Sequence, residues 1–144
     1  MRYVLKTMGV AVATAACVLA GTAGTAQAAN ATSLYAPSDL VLAIGQGEEA
    51  ATMTADRAVT LTCAPRPGGS HPAASAACNE LGAAEGKFDQ LVVSAPQVAC
   101  TMEWRPVVVT ADGFWDGRRV SWSTTFANQC QMRASLAGSS TLTF

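Results

Sequence analysis

The chain has 144 residues, of which 50% are hydrophobic and only 13% charged, and its formal net charge is −1. A near-neutral chain with no basic cluster argues against nucleic acid and anionic membrane surfaces as partners. Its length supports one core of modest size, hence one folded domain.

The first residues, Met1-Arg2-Tyr3-Val4-Leu5-Lys6, are basic at two positions, an apolar stretch runs from Met8 to Leu19, and Ala26-Gln27-Ala28 is a small-x-small cleavage pattern ahead of Ala29. Residues 1–28 are therefore expected to be a signal peptide that is removed on secretion to the extracellular space. The apolar centre falls short of the roughly 20 residues that a membrane span needs. Cys17 leaves with the leader. Loss of Arg2 and Lys6 takes nine basic residues to seven against ten acidic ones, so the net charge of the remainder moves from −1 to −3.

Residues 29–38, polar and small up to Pro37, read as a flexible N-terminal arm, and the domain is expected over 39–144. Leu40-Val41-Leu42-Ala43-Ile44, closed by Gly45-Gln46-Gly47, and the alternating Ala58-Val59-Thr60-Leu61-Thr62-Cys63 are two expected strands. Pro72 to Gly86 changes character. Pro72 at a first turn, a run of alanines, Ala74, Cys78 and Leu81 at helical spacing, and Gly86 at the end predict the main helix.

Phe88 to Val93 is apolar enough for a further strand. Pro106 to Ala111 and Arg119 to Phe126 flank Asp112-Gly113-Phe114-Trp115-Asp116-Gly117, which has two Asp-Gly turn signals, and are expected to pair as an antiparallel hairpin. Ser139 to Phe144 alternates and reads as a last strand. The expected class is α+β: an antiparallel sheet of about five strands with one main and one short helix.

Cys63, Cys78, Cys100 and Cys130 remain after the leader is lost. An even number in an exported chain predicts two disulfides, with three possible connectivities that the spacing leaves open. Zinc is the poorer reading, because no C-x-x-C pair exists and the single histidine, His71, directly precedes Pro72. No metal or other cofactor is expected.

Catalysis lacks its parts. A hydrolytic triad would have to be built on His71, in a loop bounded by Gly68-Gly69 and Pro72, and there is no G-x-S-x-G elbow, H-E-x-x-H pair or phosphate loop. Glu48 and Glu49 sit side by side in a glycine-rich turn, where both are expected to be solvated rather than paired as acid and base.

The unusual segment is Pro96-Gln97-Val98-Ala99-Cys100-Thr101-Met102-Glu103-Trp104-Arg105-Pro106. Two prolines and a half-cystine restrict a stretch that is neither a regular turn nor an alternating strand, so little entropy is left to lose on binding. Met102 and Trp104 fit two roles at this point. They either pack into the chain's own core or anchor an interface with another protein.

Leu34-Tyr35-Ala36-Pro37-Ser38, Arg57 to Cys63, Gly69-Ser70-His71-Pro72-Ala73-Ala74 and Phe126-Ala127-Asn128-Gln129-Cys130, together with the cysteine spacing, resemble the Streptomyces subtilisin inhibitor family over nearly all of the chain after the leader. The resemblance implies a compact α+β domain, disulfides joining Cys63 with Cys78 and Cys100 with Cys130, and a homodimer formed through one face of the sheet. It implies a substrate-like inhibitor of subtilisin-type serine proteases, not an enzyme. The family's scissile bond lies two residues after the third of these cysteines, which by position is Met102 to Glu103. Ala99, Cys100 and Thr101 would then lie on the non-primed side and Trp104 and Arg105 follow Glu103 on the primed side, with Asn128 and Pro106 as loop support. Methionine suits an apolar primary pocket and would leave the buried acid of a trypsin-like pocket unpaired. Inhibition of another secreted protease, chymotrypsin-like or a metalloprotease, and a non-inhibitory extracellular binding module are the alternative functions for the same scaffold.

Overall fold

The computed structural model describes residues 35–94 and 98–144; the expected leader and residues 29–34 of the expected arm lie outside them. Five antiparallel strands form one sheet: β1 (Ser38–Gln46), β2 (Thr54–Ala64), β3 (Gly68–Gly69), β4 (Val107–Trp115) and β5 (Arg118–Phe126), in the order β3-β2-β1-β4-β5. Two helices, α1 (Ala74–Ala83) and α2 (Gln129–Leu136), complete the α+β domain.

The alternation in β1 decides which face is covered. Leu40 and Leu42 are buried while Asp39 and Val41 are exposed, as the two-residue period of a strand requires. Register carries that choice across the sheet: Leu42 is opposite Val59 on β2 and Ala111 on β4, and Ala111 is opposite Trp122 on β5. Ala77 and Leu81 of α1, Met132 and Leu136 of α2, and Leu142 close over this row. Fully burying one such leucine contributes about 1.5–3 kcal/mol.

α1 forms where expected, slightly shorter. Alanine is the best helix former, and the helix ends as Gly86 N–H bonds to the Leu81 carbonyl at 2.9 Å. Cys78, on the face of Leu81, bonds to Cys63 near the end of β2, with Cα atoms 5.5 Å apart. The second bond joins Cys100 to Cys130, Cα to Cα 5.8 Å. The three open connectivities reduce to the pair implied by the family resemblance.

Three local expectations are corrected. Phe88 to Val93 is not a strand: Phe88–Leu91 is a 3₁₀ turn. Phe88 is buried and stacks on Trp122 with centroids 5.3 Å apart, and the Trp122 indole N–H donates to Asp89 at 2.8 Å. Those side-chain contacts dock the segment on the sheet face, where no ladder partner is available.

The β4–β5 turn is also later and tighter than expected, at Asp116-Gly117, both with positive φ (47° and 74°). This is the pattern of a two-residue type I′ hairpin turn. Asp112-Gly113, the other turn signal, lies inside β4; a Cβ on Gly113 would sit 2.1 Å from the Asp39 carbonyl oxygen. Glycine there permits close approach of β1.

Ser139 to Phe144 alternates in sequence but forms no strand. The Ser139 hydroxyl accepts from Thr141 and Leu142 N–H at 3.3 and 3.1 Å, and the Thr143 hydroxyl donates to the Ser139 carbonyl. Such local side-chain bonds compete with a ladder. The segment is held instead by Glu80 of α1, whose carboxylate accepts from Thr141 N–H at 2.7 Å and from the Ser139 hydroxyl at 3.0 Å. Glu80→Ala removes the principal acceptor of a buried amide and is expected to cost roughly 1–3 kcal/mol. Urea unfolding should show a lower midpoint at unchanged m value.

Candidate functional site

Residues 98–106 cross from the 3₁₀ region to β4 without helix or strand. Met102 is 95% exposed and Trp104 63%, so neither packs into the core. Large apolar side chains held this far out in a folded domain point to a contact with another molecule.

Three ties hold the segment in this form. Cys100 is bonded to Cys130, the second residue of α2. Arg105 N–H donates to the Ala127 carbonyl at 2.8 Å. Between them, the Asn128 side-chain amide donates to the carbonyls of Thr101 and Glu103, each at 3.0 Å. Two carbonyls two residues apart, reached by one amide group, lie on the same side of an extended backbone. The Met102 carbonyl between them is therefore directed away from Asn128.

Asn128 is itself oriented. Its side-chain oxygen accepts from Gln131 N–H at 3.0 Å, making it the N-cap of α2, and it is buried. Asparagine is among the best residues for this position. The oxygen caps the helix and the nitrogen holds the loop, so a single side chain links the two. The same helix start carries the disulfide, and its Asn-Gln-Cys-Gln opening is the local sequence signal for α2.

All the expected site residues, Ala99 to Pro106 with Asn128, thus occur in one loop and the helix start behind it. Glu103 lies 3.6 Å from Arg105, both exposed, and such a surface pair contributes little. Glu48 was the residue missed. The Trp104 indole N–H donates to its carboxylate at 2.9 Å, where sequence reading expected only solvent around Glu48 and Glu49. The pair is 56 residues apart in the chain, and no local signal connects them.

His71 is occupied structurally. It is 5% exposed, its Nδ1 accepts from Ala73 N–H at 3.1 Å, and Nε2 accordingly donates to the Thr141 carbonyl at 3.1 Å. With both ring nitrogens committed to backbone partners, it serves the fold as an anchor for the C-terminal segment. Among the described residues no cluster of three or more His, Cys, Asp or Glu side chains could hold a metal.

Asn128→Asp separates the two roles of this residue. An aspartate still accepts from Gln131 N–H but presents lone pairs to the Thr101 and Glu103 carbonyls. Amide exchange across residues 101–105 is expected to accelerate by about tenfold, and the thermal midpoint to fall, because the buried carboxylate faces two carbonyl oxygens. Asn128→Ala loses both roles and about 1 kcal/mol of capping as well.

Comparison with known proteins identifies the family. The family profile described as subtilisin inhibitor-like matches residues 36–128. The chain is 58% identical over 146 residues to "Subtilisin inhibitor" of Streptomyces violaceus, covering 100% of both. It is 54% identical over 102 residues to "Transglutaminase-activating metalloprotease inhibitor" of Streptomyces mobaraensis, 71% of this chain and 69% of that one. Among solved structures it is similar to Streptomyces caespitosus sermetstatin, crystallised in complex with Bacillus licheniformis subtilisin, at TM-score 0.70 and 44% identity over 75% of this chain and 99% of that one. With a family profile matched over residues 36–128 and a relative 58% identical over the full length of both chains, the chain belongs to the subtilisin inhibitor-like family.

Proposed function

We propose that this chain is a secreted, substrate-like inhibitor of subtilisin-type serine endopeptidases, with its reactive bond between Met102 and Glu103. The observation that carries the reading is the Met102 side chain, 95% exposed at the centre of a loop whose flanking carbonyls are both held by Asn128. The sermetstatin complex supports subtilisin as the enzyme class. The two disulfides and the leader-like first 28 residues support secretion.

The mechanism follows from the geometry. Met102 enters the apolar primary pocket, and its carbonyl, turned away from Asn128, is presented to the oxyanion donors of the protease. Ala99, Cys100 and Thr101 occupy the non-primed subsites, and Glu103, Trp104 and Arg105 the primed ones. Attack by the protease serine forms an acyl-enzyme and frees the Glu103 amine. The ties behind the loop keep that amine close, and its high effective concentration favours resynthesis over hydrolysis. The loop is already ordered, so binding loses little conformational entropy.

The chain pairs as a homodimer through the sheet face opposite the helices. Val41 and Phe114 are 49% and 42% exposed on that face, with no helix above them. An uncovered sheet bearing apolar side chains is the surface that a second copy would bury.

Two variants test the assignment. Met102→Lys should gain trypsin inhibition and lose at least about tenfold in affinity for subtilisin, since an ammonium is costly in an apolar pocket; an unchanged preference means that another bond is the reactive one. Replacing Cys100 and Cys130 with serine should turn a long-lived inhibitor into a steadily consumed substrate, seen as recovering protease activity and accumulating fragments. Limited proteolysis of the parent chain should give one slow cut after Met102. A metalloprotease in the same titration series checks the activity named for the Streptomyces mobaraensis relative.

A further inference from the structure

Cleavage at the proposed bond would leave two new ends, and they are not held alike. The Met102 end has the Cys100–Cys130 disulfide two residues away and the Asn128 bond to the Thr101 carbonyl. The Glu103 end has no covalent tie of its own nearby. Its supports are the Asn128 bond to its carbonyl, the Arg105 N–H bond to Ala127, and the Trp104 indole bond to Glu48 at 2.9 Å.

Glu48 is well placed to serve as a fixed point. Its own carbonyl accepts from the Thr125 hydroxyl of β5 at 3.0 Å, and the adjacent Gly47 N–H donates to the Pro106 carbonyl at 3.1 Å. The turn between β1 and β2 is thus bonded both to the sheet and to the end of the loop. An ionised carboxylate is a stronger acceptor for the indole than a neutral group. Trp104 is 63% exposed, so a protease seated on the primed side would exclude water from the pair and strengthen it further.

Granted the inhibitory role of the Met102 loop, on which this step rests, the geometry points to Glu48 as a positioning residue for the primed side. Its carboxylate holds the Trp104 indole, and through it the Glu103 backbone, in the place from which a cut bond is resealed. In the resealing step the Glu103 amine attacks the Met102 acyl carbon, the ester bond to the protease serine breaks, and the serine oxygen regains a proton. A loose amine end lowers the rate of this attack and leaves water as the competing nucleophile.

The experiment measures, with subtilisin, both the inhibition constant and the fraction of chain cleaved at equilibrium for the parent, Glu48→Ala, Glu48→Gln, Trp104→Phe and the double variant Glu48→Ala with Trp104→Phe. Glu48→Ala should weaken inhibition roughly three- to tenfold and raise the cleaved fraction at an unchanged thermal midpoint, because the backbone bonds of the turn survive. Glutamine keeps a carbonyl acceptor but not the charge, so Glu48→Gln should fall between the parent and Glu48→Ala. The double variant should be no weaker than the weaker single one, as expected for two residues acting through one bond. Parent-level behaviour of Glu48→Ala overturns the inference. So does equal weakening in Glu48→Gln, which would make the effect one of charge rather than of the indole bond. A parent chain that leaves subtilisin uninhibited is a different result: it removes the inhibitory reading itself.

Discussion

Asn128 carries a constraint on which the exposed loop depends. A helix start leaves N–H groups without intrahelical partners, and the Asn128 oxygen satisfies one of them at Gln131. That bond fixes the plane of the side-chain amide, and the nitrogen is then aimed at Thr101 and Glu103. The side chain is buried, and among the described residues no buried side-chain nitrogen or oxygen lacks a partner. The loop therefore takes its form from a residue that the helix has already oriented.

The rest of the domain is arranged to make that support rigid. α2 is pressed onto the sheet by Met132 and Leu136, and Cys130 fastens its first turn to the loop. On the other side the loop runs through Pro106 straight into β4, an interior strand whose first three valines are buried. A short extended segment between two such anchors has few conformations to lose on binding. The cost is an unburied methionine, which a core position would have rewarded with about 1.5–3 kcal/mol. Met102 is instead held 95% exposed, the position that the proposed contact with a protease would bury.

Much of the fold was legible in the residue pattern. Leu40 to Ile44, a short apolar run closed by glycines, and Ala58 to Cys63, which alternates with the two-residue period of a half-buried sheet, both form strands, and the alanine-rich stretch after Pro72 forms a helix on propensity and spacing. Alternation misled at Ser139 to Phe144, where hydroxyls and Glu80 take up the amides a ladder would need. Apolar content is equally ambiguous at Phe88 to Val93, where stacking of Phe88 on Trp122 accompanies a 3₁₀ turn instead of a strand. Of two Asp-Gly pairs only the second turns the chain, and the first serves a close contact between strands.

For the site, the sequence by itself determined the crosslinked, proline-bounded segment, its methionine and tryptophan, and, through the cysteine frame and flanking motifs, the likeness to an inhibitor family. These are local properties or matches to a pattern, and both survive without knowledge of distance. Tertiary structure decided which way the side chains face, that Asn128 caps a helix while holding the loop, and that Glu48 meets Trp104. The bonds from Asn128 to the loop and from Trp104 to Glu48 join residues 25 to 56 positions apart in the chain. Such pairings arise only when sheet register and helix packing bring distant backbone together, and no periodicity within either segment records them.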